Sequence, residues 1–383
     1  MSTTSSPIST RLWPPPWRPT ASPKRPSDAG RPAMVIAQTK GRPDPGPVAP
    51  PRRRAARGGG GRGFGRPVTI GLVNNMPDTA LTATERQFSG LIAEAAAGRP
   101  VRLLLFSFAS VARSEPARAR MAGQYRDAAE LAATPVDALI VTGTEPRAPR
   151  LDQEPYWPDM ARLVDHAARH TVSTLWSCLA AHAAVLHLDR VERRPLADKC
   201  FGVFGSEPAV ADPLVTRPGA PPLAVAHSRW NGLDAADLTA CGYRILSTVG
   251  EAGVDVFAKR IGSEFVFFHG HPEYDAGALA GEYRRDVGRF LTGERDRYPN
   301  LPEGYFDANT NAVLDDYRAR AEHDRGAVAF ADLPRLVPRS GLAEATRATA
   351  AFLFRNWLDG VFLAVGGNAA RNATLDGAAA VAR

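Results

Sequence analysis

Cysteine is scarce in this chain, with three in 383 residues (Cys178, Cys200 and Cys241) and none in CxxC spacing. That excludes a disulfide framework and a thiolate zinc cage, and it fits a reducing compartment. No run approaches the roughly 18 consecutive apolar residues of a membrane span, and no apolar stretch follows the positive charges at the N-terminus. The Arg52-Arg53-Arg54 triplet invites a twin-arginine reading, but Ala-Ala-Arg and a run of glycines follow it, and those residues cannot insert. The expectation is a cytoplasmic protein with no membrane partner.

Acidic residues are nearly missing from the first 67 positions, which hold 13 Lys and Arg, only Asp28 and Asp44 as acids, and 14 of the 33 prolines. The tail carries +11, which leaves 34 basic against 38 acidic residues, or −4, for 68–383. The basic character of the whole chain therefore says nothing about partners of its folded part. A segment this poor in apolar residues cannot offset the entropy of ordering it, so 1–67 is expected to be a disordered Pro/Arg/Gly-rich tail. Only through that tail does nucleic acid enter as a partner.

From residue 68 the texture changes. Val68–Asn74 is a short β-branched run closed by Asn-Met-Pro-Asp, and a helix is expected over 80–97, with Thr82 to Glu85 as a capping box. Further strands are expected at 101–107, 137–142 and 171–177, with helices at 157–170 and 179–188. Nearly all-apolar strands alternating with helices predict an α/β fold, a mostly parallel sheet with helices on both faces. Ligands then belong at the carboxyl ends of the strands. The second half holds a hairpin turning at Ile261-Gly262-Ser263 and helices at 276–292, 310–322 and 342–364. No internal repeat occurs. The expected organisation is one catalytic domain over 68–365 and a flexible C-terminal tail over 366–383.

Three places put reactive side chains at element ends. In Trp176-Ser177-Cys178-Leu179-Ala180 a strand ends on a cysteine and small residues open a helix. Such an elbow holds a nucleophile, and the helix N-terminus stabilises a thiolate and offers N–H groups to an oxyanion. A buried cysteine acting as a small hydrophobe is the alternative there. Cys200 and Cys241 lack that context and read as structural. In His269-Gly270-His271-Pro272-Glu273 an imidazole and a carboxylate two residues apart can act as a base and its orienting partner. A metal site on His269 and His271 would need a third ligand that nothing else supplies, so no metal is expected. Glu282-Tyr283-Arg284-Arg285-Asp286, with Lys199 and His227-Ser228-Arg229 upstream, could bind a carboxylate through an arginine fork or form a merely solvated helix face.

Taken together, these features resemble one family. Asn-Met-Pro-Asp at 75–78, Val141-Thr142-Gly143, Cys178 after Ser173-Thr174-Leu175, Lys199 before Phe201-Gly202-Val203-Phe204, His227-Ser228-Arg229, Gly270-His271-Pro272-Glu273-Tyr274-Asp275 and Glu282-Tyr283-Arg284-Arg285-Asp286 look like the homoserine O-succinyltransferase family, over about 68–308 and again at 352–357. The resemblance implies a fold like the class I glutamine amidotransferases. It also implies acyl transfer from CoA to the hydroxyl of homoserine, toward methionine. By the same resemblance Cys178 is the nucleophile, His271 the general base and Glu273 its orienting partner. Lys199, Ser228 and Arg285 would contact the amino acid, with Glu282 beside them. The Leu179 and Thr144 N–H groups are the expected oxyanion donors. No permanently bound cofactor is implied, only an acyl-CoA co-substrate and small-molecule partners, and a homodimer is compatible with all of this.

The chain also departs from the family pattern. The loop that usually reads Gly-Ala-Pro is Gly143-Thr144-Glu145-Pro146-Arg147, Leu179 stands where an aromatic is common, and His182 replaces a Gln. Arg147 falls at the position associated with choice of acyl group. A guanidinium there suits the free carboxylate of a succinyl chain, whereas pairing with Glu145 would neutralise it and suit acetyl. Succinyl-CoA is the expected donor. Transfer from acetyl-CoA to homoserine or serine, and a glutamine amidotransferase subunit, remain the alternatives.

Overall fold

The computed structural model describes residues 66–381; the tail expected to be disordered lies outside the described residues as far as position 65. Along the chain run β1 (Val68–Val73), α1 (Asp78–Ala96), β2 (Val101–Ser107), α2 (Glu115–Met121), β3 (Tyr125–Asp127), β4 (Ala138–Thr142), α3 (Trp157–His170), β5 (Ser173–Ser177) and α4 (Leu179–Asp189). There follow β6 (Arg194–Pro208), β7 (Leu223–Gly232), α5 (Ala235–Ala240), β8 (Arg244–Val249), β9 (Gly253–Ile261), β10 (Ser263–Phe268), α6 (Ala278–Leu291), α7 (Ala308–His323) and α8 (Leu342–Val381).

The strands form one sheet in the order β3-β2-β1-β4-β5-β10-β9-β8-β6-β7. Pairing is parallel from β3 through to β10, and antiparallel from β10 out to β7. Strands β4 and β5 are buried at every position, as a sheet covered on both faces requires. On one face α3 and α4 enclose Leu139, Val141, Trp176 and Phe267. On the other, Phe88, Leu91 and Ile92 of α1 meet Leu353, Phe354, Trp357 and Leu358 of α8 over Ile70 and Leu72. The 342–367 stretch of α8 is long and apolar enough to cross a membrane by composition, but here Ala350, Leu353, Phe354, Trp357, Leu358 and Val361 pack into this core, while Leu363 is exposed.

Several local expectations change. Helix α1 starts at Asp78 behind Pro77, so Thr82 lies inside the helix and makes no cap. Instead, Asp78 accepts from the Ser114 N–H and pairs with Arg113. Strands β6, β7 and β8 did not stand out in the sequence, because β6 mixes Pro, Asp, Lys and Gly, which are poor strand formers, and is defined by its long-range pairing with β7. Helix α8 continues past the apolar pattern that suggested an end near 364, through the alanine-rich segment, so backbone from 366 to Val381 is helical. The Ile261-Gly262-Ser263 turn is the expected hairpin, with Gly262 at φ +76°.

Candidate active site

Cys178 sits between the end of β5 and the first turn of α4 with φ +48° and ψ −107°, a backbone conformation rare outside glycine. Its N–H donates to the Phe268 carbonyl at 2.7 Å. Because Phe268 pairs in register with Ser177, the chain leaving β10 passes directly beside the elbow. His271 is three residues further on, held by its N–H to the Ala226 carbonyl at 2.7 Å. Its Nδ1 is 2.9 Å from Glu273 Oε1, which leaves Nε2 for Cys178. Ser177 Oγ donates to the same Glu273 oxygen at 3.1 Å, so the carboxylate is aimed from two elements. Burial alone would lower the pKa of His271, but the neighbouring Cys178 and the Glu273 carboxylate raise it well above the ordinary imidazole range. The geometry is that of a cysteine and a histidine with an orienting acid.

The loop after β4 lies on the first turn of α4. A Cβ on Gly143 would stand 2.4 Å from Leu179 Cβ and 3.1 Å from the Ala180 nitrogen. Only glycine permits that approach, which brings the N–H following Gly143 toward the free N–H groups that open α4. Gly143, and with it the start of the loop that continues to Thr144, thus abuts Leu179, the residue after Cys178.

Beyond His271 the other expected binding residues converge. Tyr274 stacks on His271 with ring centroids 4.2 Å apart, and its hydroxyl donates to Glu282 Oε1 at 2.8 Å. Burial, then the adjacent Glu282, raises its pKa well above the usual phenol value and keeps it a donor. Ser228 Oγ donates to Glu282 Oε2. Lys199 Nζ is 3.5 Å from Glu282 and 3.6 Å from Asp286, over the Phe201 ring. Burial lowers the pKa of this ammonium, against the pull of both acids. Arg285 is 3.0 Å from Asp286 and 3.9 Å from Glu282. Lys199, Ser228, Glu282 and Arg285, far apart in the chain, therefore share one wall. Tyr274 and Asp286 belong to it too; each lies inside a motif singled out in the sequence, but neither was given a role there, and Ser177, which holds Glu273, was not singled out by itself.

Other residues fall elsewhere. His269 is fully buried, with Nδ1 2.6 Å from the Val254 carbonyl, and burial lowers its pKa to about 3, so it stays neutral. Among the described residues no group of three His, Cys, Asp or Glu could hold a metal ion. Arg229 is buried against the Asn231 and Ala252 carbonyls, and Arg284 lies over Phe330. Neither can serve a substrate. Cys200 is buried, which raises the pKa of its thiol, and Cys241 caps α5. Arg147 is exposed; its backbone N–H and that of Ala148 donate to Glu154 Oε1 at 2.6 and 2.7 Å. Glu145 faces Arg289 at 3.7 Å and forms no pair with Arg147.

Residues 62–364 match the model of a family described as homoserine O-succinyltransferase. A homoserine O-succinyltransferase of Rhodopseudomonas palustris is 54% identical over 293 residues, 76% of this chain and 88% of that protein. One of Bradyrhizobium japonicum is 48% identical over 306 residues, 79% of this chain and 93% of that protein. Among solved structures, a glutamine amidotransferase from Thermotoga maritima is similar at a TM-score of 0.44 and 10% identity, over 78% of this chain and 99% of that one.

Proposed function

Since the chain belongs to the homoserine O-succinyltransferase family, we propose that its acyl transfer runs through a thioester on Cys178, with succinyl-CoA as donor and homoserine as acceptor. Membership makes the protein an acyltransferase of methionine biosynthesis and sets aside the amidotransferase subunit. The catalytic domain is taken as 68–365.

The observation that carries the covalent route is the positive-φ elbow that holds Cys178 at the end of β5, next to the strand end that supplies His271 with its Nδ1 2.9 Å from Glu273 Oε1. The Cys178 thiolate attacks the thioester carbonyl, and the Leu179 and Thr144 N–H groups receive the oxyanion. The intermediate collapses, the CoA sulfur leaves with the His271 proton, and an acyl-cysteine remains beside a neutral imidazole. Homoserine then binds at the Lys199, Ser228, Glu282 and Arg285 wall, where acids face its ammonium and cations its carboxylate. His271 removes the hydroxyl proton, the oxygen attacks the acyl carbonyl, and Cys178 departs as thiolate. The proton stays on His271, so the starting ion pair is restored and the kinetics are ping-pong.

Intact-mass measurement tests this. Mixed with succinyl-CoA and no homoserine, the protein gains one succinyl group on Cys178, and homoserine discharges it. Cys178→Ala abolishes adduct and turnover, whereas Cys200→Ala and Cys241→Ala keep both. An adduct persisting on Cys178→Ala overturns the mechanism, and acetyl-CoA labelling the cysteine faster than succinyl-CoA overturns the donor.

A further inference from the structure

The mechanism above uses only the middle residue of His227-Ser228-Arg229. Side chains alternate across β7, so Ser228 faces Glu282 while His227 and Arg229 turn to the other side, where both are buried. There they meet Asp255 of β9, an acid that is 1% exposed and that no step above uses. Arg229 Nε donates to His227 Nδ1 at 3.3 Å, which leaves the ring proton on Nε2, 3.3 Å from Asp255 Oδ1. Burial lowers the pKa of His227, so a neutral ring stands between the guanidinium and the carboxylate. Ser206 Oγ of β6 donates to Asp255 Oδ2 at 2.5 Å, and Ser247 Oγ of β8 is 3.4 Å from the same oxygen. Burial opposes the charge of Asp255, but the His227 ring and the Ser206 hydroxyl hold its pKa below the usual carboxylate range. Four strands thus converge on one buried anion, which is costly to keep unless its oxygens are used.

One of those oxygens is used on the backbone that carries the base. The Asp255 carbonyl accepts the His269 N–H at 2.8 Å, and Asp255 Oδ1 accepts the Gly270 N–H at 3.3 Å. The His271 N–H goes to Ala226, the neighbour of His227 in β7. A Cβ on Gly270 would stand 2.4 Å from Val225 Cγ1, 2.8 Å from His227 Nε2 and 3.0 Å from Asp255 Oδ1, so the peptide before His271 is packed directly on this cluster. We propose that Asp255 is a positioning residue for His271: through the Gly270 N–H, and with His227 wedged against Gly270, it fixes the main chain from which the imidazole is presented to Cys178. The inference rests on the acyl-enzyme reading and deepens it by naming the support of the base that both half-reactions share. Glu273 acts on the ring itself, whereas Asp255 acts through the backbone and touches no substrate. A shift of about 1 Å in such a group can cost about 10²-fold in rate.

The test reads two single-turnover rate constants by intact mass, succinylation of Cys178 at saturating succinyl-CoA and its discharge by homoserine. A first-order constant reports on each competent molecule, so loss of folded protein does not lower it. Asp255→Ala slows both steps by at least about tenfold, because His271 serves both. The homoserine concentration for half-maximal discharge stays within about threefold of wild type, because the amino-acid wall is untouched. Asp255→Asn keeps an acceptor for the Gly270 N–H and restores both constants to within about threefold of wild type. The His271 ring signals in NMR move in the alanine variant and return in the asparagine one. Ser206→Ala leaves the carboxylate in place but unties Oδ2, slows both steps about threefold, and decides the matter where Asp255→Ala does not fold. Unchanged constants in these variants overturn the proposal. So does a loss confined to one half-reaction, the mark of a substrate contact, and so does an asparagine variant as slow as the alanine one. A wild-type protein that takes no acyl group on Cys178 overturns the acyl-enzyme reading together with this one. A wild type that is succinylated while Asp255→Ala keeps both constants overturns this one alone.

Discussion

Gly143 and Leu179 meet where two segments of the sheet's carboxyl edge converge, so closely that a Cβ on Gly143 would stand 2.4 Å from that of Leu179. In the proposed mechanism this contact forms the corner that receives the oxyanion. Gly143→Ala must push the loop off α4 and displace the Thr144 N–H. Loss of one such donor typically costs about 10²–10³ in rate. The expected outcome is a fall of that size in Cys178 acylation with the far-ultraviolet circular dichroism unchanged. A variant with wild-type acylation would place the oxyanion elsewhere.

The pair of His271 and Glu273 sets the pH behaviour. The folded pKa of His271 lies above its unfolded value of about 6.5. Its contribution to stability is therefore complete below about pH 6.5 and is lost as pH rises through the folded value. Removing the thiolate in Cys178→Ala should lower the pKa of His271, as read by imidazole NMR, and shift that loss to lower pH. His271→Ala should reduce turnover by about 10²–10⁴.

Glu273 orients His271 and does not touch the acyl group, so Glu273→Gln should be milder than His271→Ala while changing the pH profile of acylation. Ser177→Ala removes the other hydrogen bond to Glu273 Oε1 and should shift the same profile by less. Identical profiles in all three proteins would show that the carboxylate has no such role.

In the proposed mechanism the wall of Lys199, Ser228 and Arg285 faces the second substrate, so its variants should divide the two half-reactions. Lys199→Ala and Arg285→Ala are expected to leave Cys178 acylation within about threefold and to raise KM for homoserine by about tenfold or more, the scale of one charge-assisted hydrogen bond. Slowed acylation with an unchanged homoserine KM would move these residues to the CoA side.

Arg147 looked in the sequence like the residue that chooses the acyl group, with Glu145 as its rival partner. Glu145 pairs with Arg289 instead, and the Arg147 side chain stands in solvent. Exposed charge pairs are worth about 0–1 kcal/mol. Arg147→Ala should therefore change the succinyl-to-acetyl ratio by no more than about fivefold, measured as kcat/KM for each donor. A larger drop would put the carboxylate at the pocket rim.

Local chemistry made much of this protein legible in one dimension. The apolar runs at 68–74, 137–142 and 171–177 read as buried strands, and a cysteine followed by small residues at a strand end read as an elbow or as a buried small hydrophobe. The Pro-Arg-Gly tail could not build a core, because composition sets the balance between burial and chain entropy before any fold exists. The His-Pro-Glu motif likewise placed a base and its acid two residues apart. What the tertiary structure decided was everything that depends on register and depth. Pairing of β10 with β5 brings His271 to Cys178, and the antiparallel strands β6 and β7, whose residues have weak strand preference, carry Lys199 and Ser228 to α6. Burial then separated arginines that look alike in sequence. Arg229 is spent on carbonyls, whereas Arg147 lies in solvent. A side chain's solvation and partners are properties of the packed chain, and no local pattern encodes them.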